Sequence, residues 1–225
     1  MSVAFNTLSK PAAAPSASAS AIVAIGTASS FNRNNTIFSE GDDARFAYKV
    51  ISGGVRLCKM MADGRRQIAE FALPGDYFGF DWLEQHALTA EALVDTTVAC
   101  YSRSRLDRLG EEDSQVRAEL FSTLRHDLWA AQNHLVILGR QSARERVASF
   151  LLQLMARRRN AERRTVSVPM TRQDIADYLG LTIETVCRVL TSLKRDGIID
   201  IPNRQEITVR NENALRNAAQ PEDLD

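Results

Sequence analysis

TRQDIADYLGLTIETVCRVLTSLKR, residues 171–195, decides how this chain folds. Thr171 followed by Asp174 has nearly the form of a capping box, which starts a helix just after Pro169 has discouraged one. Ile175, Ala176 and Leu179 face inward from a short helix, Gly180 permits a sharp turn, and Leu181 plugs it. Thr182 then caps a second helix whose Val186, Val189 and Leu190 face the first. Counted from Arg172, apolar residues fill the fourth, eighth, tenth, fifteenth and eighteenth places, with Ala at the fifth and Gly at the ninth. That is the helix-turn-helix pattern.

Any tight helical hairpin needs a small residue at the crossing and a glycine in the turn. The outward chemistry of the second helix separates the two readings. Glu184 and Arg188 stand four apart on one face, where a carboxylate can accept from cytosine N4 and a guanidinium can fork onto guanine O6 and N7. An intrahelical Glu–Arg pair has the same spacing and is worth only a few tenths of a kcal/mol. Beyond the second helix, residues 198–201, Pro202-Asn203 and residues 207–209 read as two short strands and a turn, a wing.

Charge agrees with this placement. The whole chain is neutral, with 28 Lys and Arg against 28 Asp and Glu, which by itself argues against a nucleic-acid partner. Residues 140–195 nevertheless carry twelve basic residues against five acidic ones, with acidic excess on both flanks. Attraction for phosphate therefore concentrates around the motif.

Upstream, residues 30–105 show short apolar runs separated by turn residues, with glycines at roughly ten-residue intervals and Asp63-Gly64 placed as a tight hairpin turn. This is the texture of an antiparallel barrel or sandwich. Residues 111–139 lack proline and internal glycine, and Leu120, Leu124, Leu128, Ala131, Leu135 and Leu138 form a narrow, heptad-like stripe. Such a helix either pairs with a copy of itself or lies on its own β-domain. A further helix over residues 143–158 buries Val147, Phe150, Leu151 and Leu154.

At 225 residues with 44% hydrophobic and 25% charged composition, the chain has room for one large domain or two small ones. Cys58, Cys100 and Cys187 are odd in number and far apart, which excludes a disulfide framework and a CxxC metal cluster and points to a reducing, cytoplasmic setting. No apolar run approaches the roughly 20 residues of a membrane span, and the N-terminus, with its Ala/Ser/Pro tract, is unlike a signal peptide. No membrane role is expected.

A β-domain, a long pairing helix and a winged helix-turn-helix in this order resemble the CRP/FNR family of bacterial transcription regulators, over about residues 30 to 215. MTRQDIADYLGLTIETVCRVL, PGDYFGFDWL and VDTTVACYS carry the resemblance. It implies an α+β chain of two domains: a flexible arm (1–29), an antiparallel β-roll of the cyclic-nucleotide-binding, double-stranded β-helix type (30–110), a dimerisation helix (111–140), a winged helix-turn-helix (141–213) and a tail (214–225). By the same resemblance Glu184 and Arg188, with Cys187 between them, read a palindrome of the TTG(A)…(T)CAA type. Arg172 and Gln173 match phosphate-holding positions, and Thr171, Thr182 and Thr185 are placed for backbone contact. Homodimerisation and contact with RNA polymerase, for which the hairpin tip at Asp63, Gly64, Arg65 and Arg66 is one candidate and an ordinary solvated turn the other reading, are implied as well.

The departures choose the branch. Cyclic-nucleotide binders of this family carry a GEL motif and a downstream Arg-Ser pair. Here Gly79-Phe80-Asp81 stands instead, and Leu88-Thr89-Ala90-Glu91 offers no arginine for a phosphate. The oxygen-sensing side holds an iron-sulfur cluster on N-terminal cysteines, yet residues 1–57 contain none. What remains resembles the FixK branch, with no cofactor expected, controlling microaerobic, nitrogen-fixation or denitrification genes and acting mainly as an activator. The competing readings are a regulator gated by haem or an unknown effector, and a cupin-like metalloenzyme, for which the β-domain supplies only His86.

Cys187 sits beside Arg188, a cation that favours the thiolate, so oxidation there would place bulk and charge against DNA; the alternative is a small residue without regulatory role. Cys58 and Cys100 read as packing cysteines, His126 and His134 form no metal site with His86, and Trp82 and Trp129 read as packing residues.

Overall fold

The structure, a computed structural model, describes residues 26–80, 84–157 and 164–220. Most of the expected arm, Asp81 and Trp82, Arg158, Arg159 and Arg163, and the end of the tail lie outside the described residues. The chain divides between His134 and Leu135 into two compact units.

The first unit holds strands β1 (Thr27–Phe31), β2 (Thr36–Phe38), β3 (Phe46–Ser52), β4 (Val55–Met60), β5 (Arg66–Ala72), β6 (Tyr77–Phe78), β7 (Thr89–Ala92) and β8 (Thr96–Ser102). They form two antiparallel sheets ordered β1-β8-β3-β6 and β2-β7-β4-β5. Alternation sorts their side chains. Tyr48, Val50, Phe78 and Val98 from the first sheet share one core with Phe38, Val55, Leu57, Ala72 and Ala90 from the second. The neighbours on the other face of the first sheet, Ala47, Tyr77 and Tyr101, pack with Leu106 of helix α1 (Arg103–Glu112) and Val116 of helix α2 (Ser114–Arg140). A slip of one residue would exchange the two sets, so burial on both faces pins the register.

The β3–β4 turn shows why Gly53 is there. Its φ is +86°, and a Cβ would lie 2.4 Å from the Thr96 hydroxyl and 2.6 Å from the Asp95 carbonyl. Thr96 Oγ1 uses that space to accept from the Gly54 N–H at 3.0 Å. The Asp63-Gly64 turn joins β4 to β5, the Asp63 carboxylate accepting from the Arg65 backbone N–H and Nε at 3.0 and 2.7 Å.

Strand β1 begins three residues inside the stretch assigned to the arm. TASSF and the TAEA of β7 hide from pattern reading because, Phe31 apart, their residues are small or polar. The helical region also differs. It opens as α1, breaks at Asp113, whose backbone is extended (φ −121°, ψ 111°), and restarts as α2 with the Asp113 carboxylate accepting from Gln115 N–H at 2.7 Å. A carboxylate capping the new helix, not a glycine or proline, makes the break.

The stripe on α2 divides. Phe121, Leu128 and Leu135, seven apart, are 61%, 61% and 69% exposed, and Ala131 is exposed beside them. Leu120 instead packs on the Tyr77–Tyr101–Val116 core, and Leu138 approaches Gly180. Steps of four residues overshoot one helical turn by about 40°, so the ends of the sequence stripe rotate away from its middle. Leu120 and Leu138 therefore leave the outward seam, Leu124 is half-buried, and Phe121 joins it. Trp129 is exposed rather than packed, and His134 is buried.

The second unit contains the end of α2, α3 (Ala143–Ala156), β9 (Thr165–Ser167), α4 (Arg172–Leu179), α5 (Ile183–Arg195), β10 (Ile199–Asn203), β11 (Glu206–Val209) and α6 (Glu212–Ala218). Val147, Phe150, Leu151 and Leu154 of α3 are buried as expected. Strands β10, β11 and β9 form one antiparallel sheet in that order, so the wing hairpin gains a third strand. Helix α6 lies largely in the stretch read as a tail; Asn211 caps it, and Leu215 is fully buried. Among the described residues, no helix is long and apolar enough to cross a membrane.

Candidate nucleic-acid interface

Helix α4 starts at a complete capping box. Thr171 N–H and Oγ1 donate to Asp174 Oδ2 at 2.9 and 2.6 Å, and Asp174 N–H donates to Thr171 Oγ1 at 3.1 Å. The shorter Asp does what Glu does in the usual box. Gly180, at φ +61°, ends the helix in the left-handed conformation. Thr182 then caps α5, its hydroxyl accepting from Thr185 N–H at 3.3 Å. Val186, Leu190 and Leu193 bury one face of α5, Val189 being half-buried.

Glu184, Cys187 and Arg188 occupy the opposite, exposed face. No ion pair joins Glu184 to Arg188 among the described residues. Arg188 Nη2 makes a long bond of 3.4 Å to Thr185 Oγ1, and the Glu184 carboxyl is held below the usual range by its own backbone N–H and the Thr182 hydroxyl, both at the helix N-terminus. Both head groups are thus available to a partner. Gln173 is exposed and donates to Asp177 at 2.6 Å.

Arg172 is less exposed than Gln173 beside it. It is half-buried, one guanidinium nitrogen is buried without a hydrogen-bond partner, and burial lowers its pKa while interaction with Cys187 raises it. Arg172, on α4, thus also interacts electrostatically with the exposed Cys187 of α5. An interaction between two helices is invisible in a linear reading, which offered only the adjacent Arg188.

The basic excess is also partly committed inside the unit. Arg144 bonds Asp196 at 2.8 Å, Lys194 and Arg210 bond Asp200 at 3.2 and 3.1 Å, and Arg146 is spent on backbone carbonyls. Asp196 and Asp200, part of the acidic flank, quench the basic end of α5. Arg204, at the turn between β10 and β11, is exposed and carries a free guanidinium that motif reading overlooked. Its only signal was its place at a wing tip.

Residues 145–218 match the Crp-like helix-turn-helix domain and residues 28–113 the cyclic nucleotide-binding domain. The nitrogen fixation regulation protein FixK of Azorhizobium caulinodans is 44% identical over 201 residues, covering 88% of this chain and 81% of that protein. The chain belongs to the CRP/FNR family, in its FixK-like branch. FixK of Rhizobium meliloti is 42% identical over 180 residues, covering 80% of this chain and 81% of the relative. The structure of FixK2 from Bradyrhizobium japonicum matches with a TM-score of 0.82 at 40% identity, covering 88% of this chain and 99% of that one. Members of the CRP/FNR family are DNA-binding transcription regulators, not enzymes, and this chain is one of them.

In this CRP/FNR member several rings pack together in the β-unit. Phe38 lies 5.4 Å from Tyr48, 6.1 Å from Phe78 and 3.6 Å from His86, centroid to centroid. Glu91, in the stretch that lacks a phosphate-binding arginine, accepts from Arg56 Nε on the adjacent strand at 2.8 Å. Cys58 is buried and Cys100 packs against the core. Among the described residues, no group of three or more His, Cys, Asp or Glu is placed to hold a metal ion.

Proposed function

We propose that the chain acts as a cytoplasmic homodimer that reads a TTG(A)…(T)CAA-type palindrome and recruits RNA polymerase, mainly as an activator of microaerobic, nitrogen-fixation or denitrification genes. One observation carries this: α5 buries a full apolar face while presenting Glu184 and Arg188, unpaired with each other, on the other. Glu184 accepts from cytosine, Arg188 forks onto guanine, and Cys187 sits against the bases between them. Thr171, Arg172, Gln173, Thr182 and Thr185 line the two helix N-termini and address phosphates, joined by Arg204 from the wing. Phe121, Leu128, Ala131 and Leu135 supply the seam between two copies.

No cofactor or effector takes part in this reading. Modulation comes through Cys187, where oxidation to a sulfenic or sulfinic acid adds bulk and negative charge at the DNA face beside Arg172. Selection of bound duplexes from a random pool tests the reading: a two-fold symmetric site with TTGA-like halves supports it, and an asymmetric or unselected pool rejects it.

A further inference from the structure

Three backbone carbonyls converge on one side chain. Arg146, in the first turns of α3, donates from Nε to Gln141 O, from Nη2 to Leu138 O and from Nη1 to Leu179 O, each at 2.9 Å. Leu138 is in the last turn of α2 and Gln141 just past its end, whereas Leu179 is the last residue of α4. Carbonyls in these positions lack partners within their own helix and carry the negative ends of the two helix dipoles. A guanidinium, with five N–H groups in a rigid fork, can bridge them; an ammonium, a compact point charge, cannot hold three separated acceptors in fixed directions.

The same spot is tight. A Cβ on Gly180 would lie 3.5 Å from both Arg146 Nη1 and Leu138 Cδ2, so the turn between α4 and α5 rests directly on this clamp and on the end of α2. Because α5 starts only three residues after Gly180, whatever fixes the Leu179 carbonyl also fixes the direction in which the reading helix leaves the turn.

We infer that Arg146 is a positioning residue for DNA reading, setting the angle of α4 and α5 against the end of α2 and hence, in the dimer proposed above, the spacing of the two reading heads. The inference rests on that dimeric reading. It predicts a specific defect: Arg146 variants lose the measurement of half-site separation more than they lose attraction for DNA. One added base pair rotates a half-site by roughly 35°, so duplexes that differ only in spacer length report the angle.

The full-length chain and its Arg146→Lys and Arg146→Gln variants are titrated against duplexes with two TTGA-type half-sites at the selected spacer and at one base pair more and fewer, with sedimentation and thermal melting alongside. Wild type favours its own spacer by more than about tenfold, and Arg146→Lys, still folded and dimeric, favours it by about twofold or less. Equal loss at all three spacers, or a retained preference, overturns the inference while leaving the DNA-reading dimer standing. A wild-type chain without spacer preference overturns the dimeric reading and this inference together. Should Arg146→Gln unfold, the Lys variant, which keeps charge and stem, decides.

Discussion

Glu184 and Arg188 stand one turn apart on α5 and do not pair; the carboxylate turns back to the helix start while the guanidinium makes only a long bond of 3.4 Å to Thr185 Oγ1. Arg188 makes no ion pair within the helix, so its head group can be removed with little loosening of it. Arg188→Ala is expected to shift folding stability by less than about 0.5 kcal/mol. It should cost about 1–3 kcal/mol of affinity for the selected site and relax discrimination at one guanine. Melting curves and titrations against single-base site variants measure the two separately, and unchanged discrimination rejects the assigned role.

Leu128→Glu combined with Leu135→Glu should leave the fold intact, since both side chains already face solvent. In the dimer the two carboxylates would enter an apolar seam, and the variant is expected to sediment as a monomer with palindrome affinity reduced by at least about tenfold. A dimer that survives the double substitution places the seam elsewhere.

Peroxide treatment should weaken DNA binding by wild type and spare Cys187→Ser, measured by anisotropy with and without prior oxidation. Equal sensitivity of the two proteins sinks the redox role. Cys58 and Cys100, being inside the β-unit, are expected to react more slowly with a thiol reagent in the native chain.

Acid acts through Asp196 and Asp200. Arg144 holds Asp196 below the usual carboxylate range, and Arg210 with Lys194 does the same for Asp200. Folded pKa values below the unfolded ones mean that these pairs stabilise fully above about pH 4 to 5 and that their contribution disappears as pH falls through the folded values. The melting temperature should therefore be insensitive to these groups from pH 7 to 5 and fall below about 4, and Asp196→Asn should flatten the acid limb.

Alkali acts on the other unit. Burial pushes the Tyr48 phenol up to about 12 and raises Tyr77 and Tyr101 as well. The folded chain keeps protons that the unfolded chain releases above about pH 10, so stability falls from there upward. Phenolate absorbance is expected to develop for these three tyrosines together with unfolding, whereas a smooth native titration near pH 10 would contradict their burial.

Reading outward from residues 171–195 worked because a helix-turn-helix is a local device: its caps, turn and inward residues are all set by neighbours in sequence. Asp174, Gly180 and Thr182 could be assigned roles before any fold was known. The β4–β5 hairpin was legible for the same reason, Asp63-Gly64 being its turn. What escaped depended on distant partners. Strand β1 shows nothing in TASSF until β8 supplies its ladder, and α6 declares itself only through Leu215, buried by residues far upstream. The clamp at Arg146 looked like one more positive charge in a basic segment, and only the meeting of two helix ends reveals it as a hydrogen-bonding device. The charge count erred in the same direction, since Arg144 and Lys194 are answered by Asp196 and Asp200 from the next segment.

The outward seam of α2, with Phe121, Leu128 and Leu135 in solvent, has a consequence for how a cell would use this chain. A protein that reads a two-fold site only after pairing has an occupancy that rises with the square of its concentration while copies are scarce, and linearly once they are mostly paired. Expression level then acts as a threshold, and a modest change in gene dosage or turnover would switch a promoter more sharply than the same change in a one-headed binder.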